Sequence, residues 1–265
     1  MLFRPILPAF LVSLIATCTF AHEFWIEPQE YQAQSGTPLT ANLQNGQFFT
    51  GSKLAYFSKQ TERFDLIQGG NTVAYQGRMG DIPALDSITP DNGLLIIVHE
   101  TTDSFLTYSK WEKFSNFATH KGFPEAIEQH IARGLPQEGF KEVYTRFAKA
   151  LIGVGDAKGR DAVTGMETEF VALANPYTDD LSGGLPVLLL YQGKPRVDAL
   201  IEVFARAPDD TVEITTTHTD ANGHALIVVK PNTTYLLDAV ILRQPAPESK
   251  AVWESLWAAM TFATP

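Results

Sequence analysis

The chain reads as mainly β: two β-sandwich-like domains with a helical insertion between them, the C-terminal one immunoglobulin-like. Three observations predict this. Short apolar runs separated by turn residues fill positions 24–99. The hydrophobic period then changes from two to 3.6 between 109 and 153. Seven further short runs, again spaced by turns, follow from 167 to 262.

The first element is a leader. Arg4 supplies a positive charge, Ile6 to Ile15 is apolar apart from Ser13, and Thr19 and Ala21 are small residues where a signal peptidase reads. Residues 1–21 are therefore expected to be a signal peptide, with His22 the first residue of an exported, periplasmic protein. A competing lipoprotein reading uses Ile15-Ala16-Thr17-Cys18, with Cys18 lipidated, but Thr before the cysteine fits that box poorly. The apolar stretch is shorter than the roughly 20 residues of a spanning helix, and no later segment is long enough, so no transmembrane segment is expected in the mature chain.

The N-terminal β domain is placed at 22–155. Thr40 to Leu43, Lys53 to Ser58, Thr72 to Tyr75 and Leu94 to Val98 are its strand candidates, with Gly36, Gly46, Gly51, Gly69-Gly70, Gly77 and Gly80 between them. Leu94-Leu95-Ile96-Ile97-Val98 has no polar face, which predicts a central strand buried on both sides, with His99 where it leaves the core.

Three helices are expected within 109–153. Ser109-Lys110-Trp111-Glu112 fits a capping box, and Pro124 suits the opening of the second helix. Phe140, Val143, Tyr144, Phe147, Ala148 and Leu151 fall on one face of the third. Gly153 to Gly165 is a linker by composition. The immunoglobulin-like domain, 165–265, takes its strands from Glu167–Ala174, Leu185–Gln192, Ala199–Ala205, Val212–Thr217, Ala225–Val229, Tyr235–Leu242 and Trp257–Phe262. Asp220-Ala221-Asn222-Gly223 is a turn that lacks the remaining acidic ligands of a calcium loop.

The full chain carries 20 basic and 30 acidic residues, and removing the leader takes away Arg4 and the single cysteine, leaving 19 against 30, a net charge of −11. That balance argues against nucleic acid or an anionic membrane surface as partner and favours cations. The mature chain has no thiol for a disulfide or a thiolate ligand, so imidazole would carry any transition-metal binding.

Of the six histidines, His22 and His99 are the favoured metal ligands and His120 the third candidate. A first-residue histidine offers its amine and its ring together, and with His99 it would make a three-nitrogen brace suited to Cu(II), then Ni(II) or Co(II). His120 and His130 are ten residues apart, no recognised ligand spacing; His130, like His120, reads as a solvated or helix-end residue, and His218 and His224 as exposed turn residues. Glu23 and Glu100 adjoin the favoured ligands and could orient them. Trp25, Trp111, Trp253 and Trp257 could form a sugar-stacking platform, but their apolar surroundings point to burial of at least three.

His22-Glu23-Phe24-Trp25-Ile26-Glu27-Pro28 is similar to the start of a family of bacterial periplasmic proteins, the domain of unknown function numbered 4198. The similarity continues through Tyr144 to Leu151, Ala174-Asn175-Pro176, Tyr191 to Pro195, Thr219 to Gly223 and Trp257 to Phe262. The resemblance implies transition-metal handling, as a predicted component of nickel or cobalt uptake, with a metal importer or acceptor as partner. It brings no ligand set. Three functions stay open: a periplasmic metal carrier, a copper monooxygenase built on the same brace, and a structural or adaptor sandwich with no metal role.

Overall fold

The computed structural model describes residues 22–265; the leader, Cys18 and the cut after Ala21 lie outside them. In chain order the strands are β1 (Glu23–Pro28), β2 (Gln32–Ala33), β3 (Pro38–Gln47), β4 (Thr50–Leu54), β5 (Thr61–Gln68), β6 (Asn71–Ala74), β7 (Leu85–Ile88), β8 (Gly93–Thr101) and β9 (Ser104–Tyr108). Helices α1 (Trp111–His120) and α2 (Glu125–Ala132) follow. The rest is β10 (Phe140–Val154), β11 (Thr168–Ala172), β12 (Leu185–Tyr191), β13 (Lys194–Pro195), β14 (Leu200–Arg206), β15 (Val212–His218), β16 (His224–Ile227), β17 (Thr233–Arg243) and β18 (Trp253–Thr264).

A large sheet runs β15-β14-β17-β18-β10-β8-β5-β6, with β2 and β9 also pairing β10. It is covered on both faces. On one face a small sheet of β11, β12, β13 and β16 packs Phe170, Leu185, Val187 and Leu189 against Leu94, Ile96, Val98, Phe147 and Leu237. On the other, the sheet of β1, β3, β4 and β7 packs Trp25, Ile26, Leu39 and Leu43 against Leu95, Ile97, Ala148, Ile152 and Leu236. The protein is thus mainly β and built as stacked sheets, with two antiparallel sheets facing each other across the C-terminal segment as an immunoglobulin-like sandwich requires. β8 shows why a strand without a polar face was expected to be central: its odd residues, Leu95 and Ile97, enter one core and its even ones, Leu94, Ile96 and Val98, the other. All seven runs predicted after residue 165 are strands.

Two expectations in the middle of the chain are corrected. The third helix is strand β10. Its apolar residues looked helical because both faces of a central strand are buried, so polar residues do not alternate with apolar ones and a spurious 3.6 period can be drawn through them. In the strand, Phe147 and Leu151 face one core while Ala148, Ala150 and Ile152 face the other. The capping box is also absent: α1 begins at Trp111 with Lys110 in the cap position and no side-chain cap bond.

Residues 153–165 do not separate two sheets, since β10 before them pairs in parallel with β18 after them, Glu142 opposite Trp253 through Ala150 opposite Thr261. The segment is tied down instead. Lys149 Nζ contacts Asp161 Oδ1 at 3.2 Å and Glu169 Oε2 at 3.1 Å and donates to the carbonyls of Ala162 and Phe170. Glu169 accepts from the backbone N–H of Thr164 and Gly165, and Asn175 Nδ2 donates to the carbonyls of Ala157 and Gly159.

Candidate functional site

β1 lies antiparallel to β3, which starts with Glu23 opposite Gly46 and leaves His22 exposed just ahead of the strand. The His22 carbonyl accepts a hydrogen bond from Arg146 Nη1 at 2.5 Å. On β10 the residues Glu142, Tyr144 and Arg146 occupy alternate positions and share one face. The parallel neighbour β18 sets Trp257 opposite Arg146. The guanidinium stacks over Trp257, 4.1 Å from the ring centre, and Tyr144, 5.0 Å away.

These side chains, with His22, Tyr108 and Lys113, line a cavity of about 510 Å³. Glu142 forms part of its floor and is buried. Tyr108 Oη donates to its Oε2 at 2.7 Å and Ser255 Oγ to its Oε1 at 2.5 Å, while Trp257 Nε1 donates to Ser255 Oγ. Burial pushes the Glu142 carboxyl above its ordinary range, against the pull of the two hydroxyls. Burial also lowers the Arg146 guanidinium, opposed by the charges of Asp238 and Glu23.

Behind that wall lies a second charged cluster. α1 ends at His120, and Gly122, at φ +85°, takes the left-handed conformation that turns the chain and leaves Lys121 directed inward. Glu202 and Asp238 are cross-strand neighbours on β14 and β17, an arrangement that like charges oppose unless a cation joins them. Lys121 is that cation. Its Nζ donates to Glu202 and, at 2.8 Å, to Asp238, lies 3.6 Å from Glu23 Oε1, and sits over the Trp257 ring. Burial raises Glu23 to about 7 despite Lys121, and raises Asp238 in the same way. Glu202 is held low against burial by His120 and Lys121. Glu23 Oε2 and Asp238 Oδ1 are buried with no hydrogen-bond partner.

The structure spreads out the histidines singled out by the sequence. His99 is 2% exposed, wedged against Phe24 and Phe64, and burial alone drops its pKa to about 3. Its Nε2 meets Thr61 Oγ1 at 3.2 Å; since that hydroxyl donates to the Phe57 carbonyl, Nε2 carries the proton and Nδ1 is left buried without a partner. His120 Nε2 contacts Glu202 Oε1 at 2.8 Å. His130 was expected at the surface and is instead fully buried. Its Nδ1 accepts from Trp253 Nε1 and its Nε2 donates to the Pro136 carbonyl, a fixed neutral tautomer, because α2 packs over β18 rather than into solvent. His218 and His224 are exposed and Trp25 and Trp257 are buried, as expected; Trp253 is buried as well, whereas Trp111, expected to be buried in the first turn of its helix, is half-buried. Glu100 pairs with Arg63 rather than with His99. Among the described residues, no three His, Cys, Asp or Glu are grouped as a metal-binding set. Of these histidines, His22 is exposed and lines the cavity.

Sequence reading passed over Arg146, Lys121, Glu142, Glu202 and Asp238. A signal was present for two of them: Glu202 and Asp238 are each a lone charge within an apolar strand-like run, as in Tyr235-Leu236-Leu237-Asp238-Ala239-Val240. A charge in such a place is paired or functional.

Fold and site together define a stacked-sheet β-protein with a polar cavity beside the first residues of its first strand. The chain belongs to the family of the domain of unknown function DUF4198, whose model matches residues 19–243. No curated protein matches it. Among solved structures it is similar to a tetra-tandem repeat in the extending region of a large adhesion protein, at 11% identity and a TM-score of 0.22, covering 91% of this chain and 49% of that one. The chain therefore spans about half the length of that structure. It is also similar to the D0-D1 domain of intimin, at 11% identity and a TM-score of 0.20, covering 90% and 97%. Among the described residues no helix is long and apolar enough to cross a membrane.

Proposed function

We propose that this DUF4198 member is a periplasmic metal-capture protein that binds a divalent transition ion, Cu(II) best and Ni(II) or Co(II) next, through His22 as the first residue of the processed chain. The ion is cargo, passed to an importer or acceptor in the cell envelope. One observation carries the reading: His22 is exposed at the rim of the cavity while its carbonyl is tied to buried Arg146, so a chelating amine and imidazole would be held against the protein rather than on a loose tail. The order of metals follows from nitrogen donors, which favour copper over nickel and cobalt. His99 and His120 are occupied by Thr61 and Glu202 and serve the fold in this reading.

The test is a titration of protein beginning at His22 with Cu(II), Ni(II), Co(II) and Zn(II), followed by calorimetry and paramagnetic spectra. One glycine placed before His22 should weaken copper binding as severely as His22→Ala, because either change breaks the chelate. Binding should also weaken as the pH falls, because protons compete with the ion for imidazole and amine. Equal affinity in all three proteins sinks the proposal, and loss on His120→Ala alone moves the site to the end of α1.

A further inference from the structure

We infer that the cavity beside His22 is a binding site for a small organic carboxylate, gripped by Arg146 and guided by Lys113, whether or not a metal ion is present. Arg63, Arg206 and Arg243 each meet a carboxylate in a salt bridge. Arg146 is 9% exposed, and among the described residues its side chain makes one hydrogen bond, to the neutral His22 carbonyl, and no salt bridge. A desolvated guanidinium has five N–H donors in a planar fork whose natural partner is a carboxylate bound by two of them at once. Here the fork is held flat by rings on Trp257 and Tyr144, which fixes its plane without supplying an acceptor.

The surroundings select the ligand further. In a chain with ten more acidic than basic residues, this cavity is lined by Arg146 and Lys113 and by one carboxyl, Glu142. That carboxyl is already satisfied by Tyr108 and Ser255 and is biased towards its neutral form. The charged side chains of the lining are therefore net positive in a negative molecule, while the carboxylates of Glu23 and Asp238 lie behind the wall. A volume of about 510 Å³ lies in the range of small-molecule sites and is far larger than a lone inorganic anion fills. Its aromatic walls, Tyr108, Tyr144 and Trp257, call for a carbon skeleton behind the acid group.

The site is tested with phenylacetate, its uncharged amide phenylacetamide, and inorganic phosphate, added to metal-free protein and followed by Trp fluorescence and calorimetry. The acid should bind roughly 10- to 100-fold more tightly than the amide, the value of charge-assisted hydrogen bonds, and phosphate should bind worse than the acid. Arg146→Gln should erase the preference for the acid. Lys113 is exposed on α1, so Lys113→Glu should fold normally and still weaken the acid three- to tenfold. Because the protein in this assay is metal-free, binding of the acid under these conditions separates the present site from the metal reading. Equal binding of acid and amide, phosphate binding as well as the acid, no binding by any probe, or no effect of Lys113→Glu overturns the inference.

Discussion

Lys121 and Lys149 are both buried ammonium groups ringed by carboxylates, one on each side of the large sheet, yet their surroundings are balanced differently. Lys149 meets two carboxylates and two carbonyls, and those carboxylates are also bound by backbone N–H groups of the 153–165 segment and of Ala172. Every charge there has several partners. Lys121 faces three carboxylates, two of which leave an oxygen buried and unpaired. A fully satisfied network rigidifies a fold, whereas a partly satisfied one is costly and is kept where it serves something else. The second network stands directly behind the cavity, sharing Trp257 with Arg146. Buried charge is thus fully paired on one face of the sheet and only partly paired on the face that carries the cavity.

The sharpest break of this comparison is Lys149→Met, which strands Asp161 and Glu169 without their cation and should cost about 3–5 kcal/mol in denaturant unfolding. A loss below about 1 kcal/mol would show that this network does not rigidify the fold. Next come two matched carboxylate changes. Asp161→Asn removes a charge that accepts from Lys149 and from the N–H of Ala162 and Ala172, and should cost about 1.5–3 kcal/mol. Asp238→Asn relieves an excess of negative charge and keeps the oxygen that Lys121 uses, so stability should stay within about 1 kcal/mol of the parent. Equal costs at the two positions would abolish the distinction drawn here.

His99 sharpens the contrast from outside both clusters. Its pKa is depressed from about 6.5 in the unfolded chain to about 3 when folded. Between those values the unfolded state holds more protons, so His99 contributes stability above pH 6.5 that is lost as the pH falls towards 3, by at most about 1.4 kcal/mol per unit. His99→Gln should therefore flatten the acid side of the stability profile; an unchanged slope would place the acid sensitivity elsewhere. The smallest effect is expected at Lys230, whose ion pair with Glu213 is exposed and screened by solvent: Lys230→Ala should leave the denaturant midpoint where it is in the parent, and a clear drop would show that the surface pair matters.

Some strands were legible in the sequence, while β5, β7 and β9 were not singled out and the Lys53–Ser58 run is strand only as far as Leu54. β3 alternates, with Leu39, Ala41 and Leu43 inward, and turns such as Asp220 to Gly223 announce themselves by their side-chain chemistry. β10 was illegible because burial on both faces removes the alternation that distinguishes a strand from a helix. The candidate site was half legible. His22 and Trp257 lie in stretches that the sequence singles out. Arg146, Glu202 and Asp238 come together only through the parallel β10–β18 pairing and the β14–β17 ladder, and no local pattern encodes such contacts between distant segments.

That parallel pairing also constrains how the molecule can be made. β18 fills the slot between β17 and β10, so Thr233–Arg243 and Phe140–Val154 each keep an open edge until residues 253–264 arrive. Contacts so distant along the chain are slow to form, because the loop must close before any pairing rewards it. The large sheet is joined only when its last strand arrives, and a chain shortened before Trp253 would expose two sticky strand edges at once.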